Sequence, residues 1–269
     1  MNGKPRILMR ARERERRQVL RGAVAAAGST LLAGCDRLSR NESVVRTLQS
    51  AEQLNHAVHK VVAPRTALAQ EFGEDMVAQT FRGNGTLSPR DTDYVRLRDA
   101  GFADYRLAVG GLVARPLEFS LAELRALPSR TQITRHDCVE GWSCIGKWKG
   151  ARLGPILDRA GPKPDAKFVV FRCFDSMEGP SLDGRDSRYY ESIDLDEAHH
   201  EQTILAYELN DKPLPITNGA PLRCRVERQL GYKQAKYIRS IELVASFADI
   251  RGGKGGYWED EGYEWYGGI

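Results

Sequence analysis

The spacing of apolar and polar positions changes several times along this chain, and each change marks a predicted element. TQITRHDC, residues 131–138, alternates with period two, as a strand with one buried face does. YRLAVGGLV, residues 105–113, also reads as a strand, and KFVVFRC (167–173) and TILAYEL (203–209) are continuous apolar runs typical of buried strands, separated by a long polar loop. APLRCRV and YIRSIELVA (237–245) complete the strands. Helical spacing governs NESVVRTLQSAEQLNHAVHKVV, with Asn41 placed to cap it, and LGPILDRAG, which Gly161 stops. SLAELRALP carries a capping box, Ser120 followed three residues later by Glu123. Strands and short helices alternate irregularly without a tandem repeat, which predicts an α+β fold.

Pro64, Gly83, Gly85 and Pro89 interrupt any regular pattern, so residues 36–80 read as a helical linker and the compact domain as residues 81–250. Residues 251–269, rich in glycine and aromatic residues, read as a tail that packs over a surface or a pocket mouth.

Composition narrows the class. At 269 residues, with 41% hydrophobic and 28% charged positions, the chain matches ordinary globular proteins. The net charge of +4 is concentrated in the first 21 residues; the remainder is near neutral, which argues against nucleic-acid binding. After that basic stretch comes GAVAAAGSTLLAG, residues 22–34, too short to span a bilayer comfortably and readable as a signal h-region. ERRQVLR, residues 15–21, resembles a twin-arginine export signal, with Glu15 and Val19 in place of the usual hydroxyl residue and Phe. Leu32-Ala33-Gly34-Cys35 resembles a bacterial lipobox whose Cys35 thiol takes the lipid, and Asp36 after it implies retention at the inner membrane. Residues 1–35 are therefore expected to be a signal peptide and the protein to be periplasmic, with a lipid anchor at Cys35. Export of a folded chain hints at a cofactor inserted before export.

The chemical centre is expected at Cys138, at the end of a predicted strand, opening a loop with Gly141, Trp142, Ser143 and Cys144. Period two puts His136 on the same face as Cys138, with Arg135 and Asp137 opposite. A thiolate beside cations is a soft donor suited to a metal. From the residues alone other readings stay open: a buried structural thiol, a Cys138–Cys144 disulfide, or a zinc hydrolase site with His136 and Cys144.

Two segments carry a resemblance. ITRHDCVEGWSCIGKWKGARLGPIL resembles the metal-ligand segment of the molybdopterin-binding domain shared by sulfite oxidases and bacterial periplasmic methionine sulfoxide reductases. NGAPLRCRVERQLGYKQAKYIRSIEL, residues 218–243, resembles the same family's cofactor-binding segment, in the same order and spacing. The resemblance spans roughly residues 80–250 and implies a sulfite-oxidase-like molybdopterin-binding fold with mixed sheets. It also implies a molybdenum–molybdopterin cofactor and oxygen-atom transfer. Cys138 matches the molybdenum ligand, and Cys144 has no counterpart. Cys173 matches a position that lines the cofactor; Asn218 and Arg223 match polar contacts to it. Gln234, Ala235 and Lys236 match the grip on the pterin phosphate, led into by Gly231, Tyr232 and Lys233. FRGNGT, residues 81–86, resembles the first cofactor contact, with Asn84 its candidate. Glu140, Trp142, Tyr190 and His136 are candidates for orienting substrate.

Where eukaryotic sulfite oxidases carry an arginine, this chain has Val139-Glu140-Gly141-Trp142. A carboxylate there repels sulfite, which favours a neutral sulfoxide-like small molecule. Sulfite oxidation, and a metal-free binding lipoprotein that keeps the fold, are the alternatives. No C-x-x-C-H haem sequence occurs, so electrons are expected to pass to or from a separate haem protein. The chain ends soon after residue 250, without room for the eukaryotic dimerisation domain, so a monomer is expected.

Overall fold

The computed structural model describes residues 41–62, 66–177 and 187–269. The expected signal peptide, lipid anchor and Cys35 lie outside them. The chain divides into two units, Met1–Val58 and His59–Ile269. Helix α1, Glu42–Val62, carries most of the described part of the first. Asn41 caps it: its side-chain oxygen accepts from the backbone N–H groups of Ser43 (3.0 Å) and Val44 (3.3 Å). Among the described residues no helix is long and apolar enough to cross a membrane.

The second unit is α+β, built on two five-stranded sheets. One sheet has the order β2 (Leu117–Ser120), β1 (Arg106–Gly111), β10 (Ile238–Val244), β5 (Phe168–Ser176), β6 (Arg188–Asp194). Only β1 and β10 in it are parallel. The other runs β3 (Ser129–Cys138), β4 (Trp142–Arg152), β7 (Ile204–Leu209), β8 (Lys212–Pro213), with β9 (Arg223–Arg225) also paired to β7. Short helices accompany them: α2 (Thr92–Asp99) before β1, α3 (Leu121–Ala126), α4 (Leu153–Ala160) and α5 (Leu195–His199) between strands, and α6 (Tyr257–Asp260) after β10. The Ser120–Glu123 capping box forms at α3, and Gly161 ends α4 in the left-handed conformation, φ 69°.

The main core joins Leu107 and Val109 of β1, Val169 and Phe171 of β5, Ile241 and Leu243 of β10, and Leu153, Ile156 and Leu157 of α4, all essentially inaccessible. Each such side chain contributes about 1.5–3 kcal/mol by leaving water. A smaller cluster, centred on Trp148 with Phe81, Ile204, Ala206, Leu209 and Leu214, backs the second sheet.

Three expectations change. The segment after Cys138 is a tight hairpin: Val139, Glu140 and Gly141 make the turn, Gly141 N–H bonds Cys138 C=O at 2.9 Å, and Trp142, Ser143 and Cys144, expected in a loop, belong to β4, with Trp142 opposite Cys138. Gly141 sits at φ +85°, the left-handed position that three-residue hairpins need. At Gly150, beside a register shift, a Cβ would stand 2.3 Å from the Leu205 carbonyl oxygen, so only glycine allows β4 and β7 to approach.

The polar stretch between 173 and 203 also holds β6 and α5. Glu191 in β6 looks like a loop residue, yet it is fully buried because Lys233, distant in sequence, pairs with it.

The compact unit is also wider than residues 81–250. Phe72 N–H bonds Ile133 C=O (2.9 Å) and Ala78 N–H bonds Ile145 C=O (3.0 Å), which ties part of the expected linker to β3 and β4. The tail is fixed by Leu230 N–H to Gly267 C=O (2.7 Å) and Ile269 N–H to Arg228 C=O (3.0 Å). The Asp260 carboxylate accepts from Gly252 N–H, Lys254 N–H and the Tyr190 hydroxyl.

Candidate functional site

The end of β3, its hairpin, residues 82–86, the end of β5, β9 and the turn at 231–236 converge on a cleft of about 270 Å³. Burial alternates along β3 as its sequence pattern requires: His136 and Cys138 face inward to line the cleft, while Arg135 and Asp137 pair on the outer side at 2.9 Å. Cys138 is only 9% exposed, and its sulfur accepts a hydrogen bond from the Asn84 side-chain amide at 3.3 Å.

The cleft contains buried cations. Arg223, 5% exposed, donates to the Asn218 carbonyl at 3.3 Å, and its Nε has no partner among the described residues. Burial, with the nearby charge of Arg225, pulls its pKa down to about 9. Lys236 donates to the carbonyls of Asn84 (2.5 Å) and Thr86 (2.6 Å). Burial and then the charge of Arg223 pull its pKa down to about 7. Asp175, also lining the cleft, is pushed up to about 6 by burial, against the pull of Lys236. These cations meet mostly neutral carbonyls, and an orphaned guanidinium N–H in the same cleft as a soft sulfur fits a group with a metal and an anionic end.

Behind Cys138, the His136 imidazole is held well below its ordinary pKa by burial and by Arg223 and Arg225. Arg225 Nη1 lies 3.1 Å and Gln234 Oε1 3.3 Å from His136 Nδ1, so both side chains hold this edge of the ring. Gly231 lets the backbone pass this ring: a Cβ there would lie 2.4 Å from His136 Cε1. Arg225 itself is buried against Glu227, 2.6 Å away, and over the Trp148 ring at 4.3 Å.

Of the residues singled out from sequence, Asn84, Cys138, Glu140, Trp142, Arg223, Tyr232, Gln234 and Lys236 line the cleft together. Five do not. Tyr190 faces away, its hydroxyl bonded to Asp260 at 2.7 Å; Tyr189, one residue earlier, lines the cleft, because successive strand residues point to opposite faces. Lys233 points into a buried cluster, 2.5 Å from both Glu191 and Glu259. Cys173 is buried outside the cleft, its thiol pushed up by burial and the charge of Asp175. Asn218 supports from behind, through its carbonyl to Arg223 and its amide to Phe81 C=O at 3.4 Å. Ala235 is buried and accepts from Cys224 N–H at 2.8 Å.

Cys138, Cys144, Cys173 and Cys224 are free thiols, so the Cys138–Cys144 bridge is not formed. Cys144 lies opposite His136 in the ladder. Among the described residues no group of three or more His, Cys, Asp or Glu side chains could hold a metal, which removes the zinc arrangement. Several lining residues escaped the sequence reading. Arg82 stacks over Trp142 at 4.8 Å, and Trp142 Nε1 donates to Glu140 at 3.2 Å, so one ring carries a cation and a carboxylate at the cleft. Met177, Trp258 and Tyr263 also line it. The aromatic tail was the available signal for the last two.

Residues 94–249 match the family model of the oxidoreductase molybdopterin binding domain. The chain is 38% identical over 253 residues to YedZ1 of Azospira oryzae, provisionally named a protein-methionine-sulfoxide reductase subunit, covering 94% of this chain and 87% of that one. It is 40% identical over 144 residues to the protein-methionine-sulfoxide reductase catalytic subunit MsrP of Xanthomonas axonopodis pv. citri, covering 52% of this chain and 45% of that one. MsrP of Campylobacter jejuni is 34% identical over 146 residues, 52% of this chain and 49% of its own. The match to the two MsrP chains thus spans about half of each partner. The sulfane dehydrogenase SoxCD from Paracoccus pantotrophus superposes with a TM-score of 0.48 at 22% identity, over 56% of this chain and 40% of that one. This chain belongs to the oxidoreductase molybdopterin-binding domain family and is a molybdopterin-dependent oxidoreductase.

Proposed function

We propose that this chain is the catalytic subunit of a sulfoxide reductase and that Cys138 is the protein ligand of its molybdenum. The reading is supported most directly by the Cys138 sulfur, which faces a cleft, takes a hydrogen bond from Asn84, and has Arg223 and Lys236 nearby. Arg223 and Lys236 would hold the anionic end of the pterin cofactor, beside Gln234 and Tyr232. Bound molybdenum supplies two-electron oxygen-atom exchange. In the balanced reaction a sulfoxide takes two electrons and two protons and leaves as a sulfide and water.

The protein's own contribution is orientation. Trp142, Tyr232, Trp258 and Tyr263 give the cleft aromatic walls for the substrate's carbon atoms. Arg82 and Glu140 bring opposite charges to Trp142, an environment suited to a neutral, dipolar S–O bond more than to sulfite. The names of the relatives YedZ1 and MsrP support the reductive direction. The electrons would come from a separate haem protein, in keeping with the lack of a haem attachment sequence. Residues 1–35 would export the folded chain to the periplasm, with Cys35 lipidated at the inner membrane.

The test uses protein purified through its native export route from a host that makes molybdopterin. A reduced dye supplies electrons, and methionine sulfoxide and dimethyl sulfoxide are offered as acceptors; sulfite oxidation is assayed in parallel with an electron-accepting dye. Sulfoxide-dependent dye oxidation without sulfite turnover is expected. Sulfite turnover without sulfoxide reduction overturns the reading.

A further inference from the structure

Apart from the cleft, four arginines line one small pocket on the first sheet: Arg172 of β5, Arg188 of β6, Arg239 of β10 and Arg251 of the tail. Tyr189 and Tyr190 complete its walls. Its volume of about 30 Å³ holds about two waters or one compact anion.

Two irregularities of the backbone bring these side chains together. Ile238 pairs with Cys173 and Ser240 with Arg172, so Arg239 is the extra residue of a β-bulge, a device that re-aims a side chain out of the regular alternation. Arg251 takes φ +51°, the left-handed conformation that is uncommon for a residue with a Cβ. There its Nη1 donates to Arg188 C=O at 3.3 Å. Arg172 and Arg251 both stand over the Tyr190 ring, 6.0 and 5.8 Å from its centre.

Guanidinium groups gathered in this way repel one another unless anions lie among them. Three carboxylates are near, and each is engaged. Glu242 Oε2 accepts from Nε (3.2 Å) and Nη2 (2.9 Å) of Arg172, and Asp91 pairs with Arg188 at 2.7 Å. Asp260 accepts from the Tyr190 hydroxyl and from Gly252 and Lys254 N–H. Among the described residues Arg239 has no ion-pair partner, and Arg251 meets only a carbonyl oxygen and the faces of Tyr190 and Tyr257. Two guanidinium groups without a carboxylate, in a pocket the size of a small ion, match an oxyanion in charge and in the shape of its acceptor edges. The pocket is distinct from the cationic wall of the cleft, since Arg223 and Lys236 line the cleft and none of these four arginines does. Tyr189 lines both and forms the partition.

We propose that this pocket is a second anion site, which takes a tetrahedral oxyanion, inorganic phosphate or sulfate, between Arg239 and Arg251. The ion clips the start of the tail to β10. The same tail carries Trp258 and Tyr263 to the cleft, so occupancy of the pocket sets how firmly that aromatic wall is held. The site does not depend on the sulfoxide-reductase reading and stands or falls apart from it.

The test uses cofactor-loaded protein, so that the cleft is filled. Phosphate and sulfate are titrated at an ionic strength held constant with sodium chloride. Binding is read by calorimetry and by the rate of chymotryptic cleavage within residues 251–269. Saturable binding and slower cleavage are expected, with chloride inert. Arg239→Gln and Arg251→Gln should each weaken binding about tenfold or more, as expected when a charge-assisted hydrogen bond is lost. Lys212→Gln, on the second sheet, removes the same charge and should leave affinity within about twofold of the parent. Selenate diffused into crystals of the unsubstituted protein gives an answer that needs no variant: its anomalous signal is expected between Arg239 and Arg251. The proposal fails if phosphate and sulfate do no more than chloride, if both arginine variants bind as the parent does, or if selenium settles only elsewhere. Binding seen in cofactor-free protein and lost on loading would also overturn it, because the pocket would then belong to the cofactor's own site.

Discussion

The side-chain amide of Asn84 donates to the sulfur of Cys138 across 3.3 Å, joining the segment before α2 to the end of β3 at the centre of the cleft. The same residue's carbonyl accepts from Lys236, so Asn84 links the sulfur to the cationic wall.

Asn84→Leu should lower sulfoxide turnover by about ten- to a hundredfold, the usual cost of losing a partner that orients a metal ligand. Asn84→Asp, although isosteric, should be worse, because it sets a carboxylate against an electron-rich sulfur. Steady-state kinetics with molybdenum content measured on the same samples decides the point. An Asp variant more active than the Leu variant would remove the donor role.

Lys233 lies between Glu191 and Glu259, each partner essentially inaccessible to solvent. Lys233→Met leaves two buried carboxylates without a counter-charge and should cost about 3–5 kcal/mol at neutral pH, read from urea unfolding. Burial and the neighbouring Glu259 charge push Glu191 well above the ordinary carboxylate range. Above the ordinary value and below the raised one, the folded chain keeps a proton the unfolded chain has released. Stability from this group therefore falls as pH rises through that window, and acidification should shrink the variant's deficit. Limited proteolysis should cut the variant first within residues 251–269.

His200 is bonded as a neutral ring: Gln202 N–H donates to its Nδ1 at 3.3 Å, which leaves Nε2–H to donate to Ala67 C=O at 3.0 Å. Burial, with Arg228 and Arg130 nearby and Glu201 opposing them, lowers its pKa from the ordinary value. Between the lowered folded value and the ordinary 6.5 the unfolded chain binds the extra proton. This group's stabilisation is thus complete above about 6.5 and lost as pH falls through that window. His200→Gln should flatten the dependence of unfolding free energy on pH in that range. An unchanged slope would show that His200 does not carry it.

The chemistry was legible in the sequence where it depends on local pattern. The alternation of β3 set His136 and Cys138 on one face, and the segment at 218–243 carried Arg223, Gln234 and Lys236 into the same cleft. What escaped depends on partners distant in the chain. Glu191 reads as a loop residue until Lys233 is placed beside it, and Lys233 reads as a cofactor cation until Glu191 and Glu259 are seen to occupy it. Tyr190 and Tyr189 differ only in the face of β6 they take, which composition does not reveal. Gly150 marks a close approach of β4 to β7, a contact set by a partner some fifty residues away and so absent from the local pattern.

The central claim is that the Cys138 sulfur binds molybdenum. X-ray absorption at the molybdenum edge, on loaded parent protein and on Cys138→Ser, tests it directly. One fewer sulfur neighbour in the variant, with folding retained, is the expected result. The same sulfur count in both would contradict the claim.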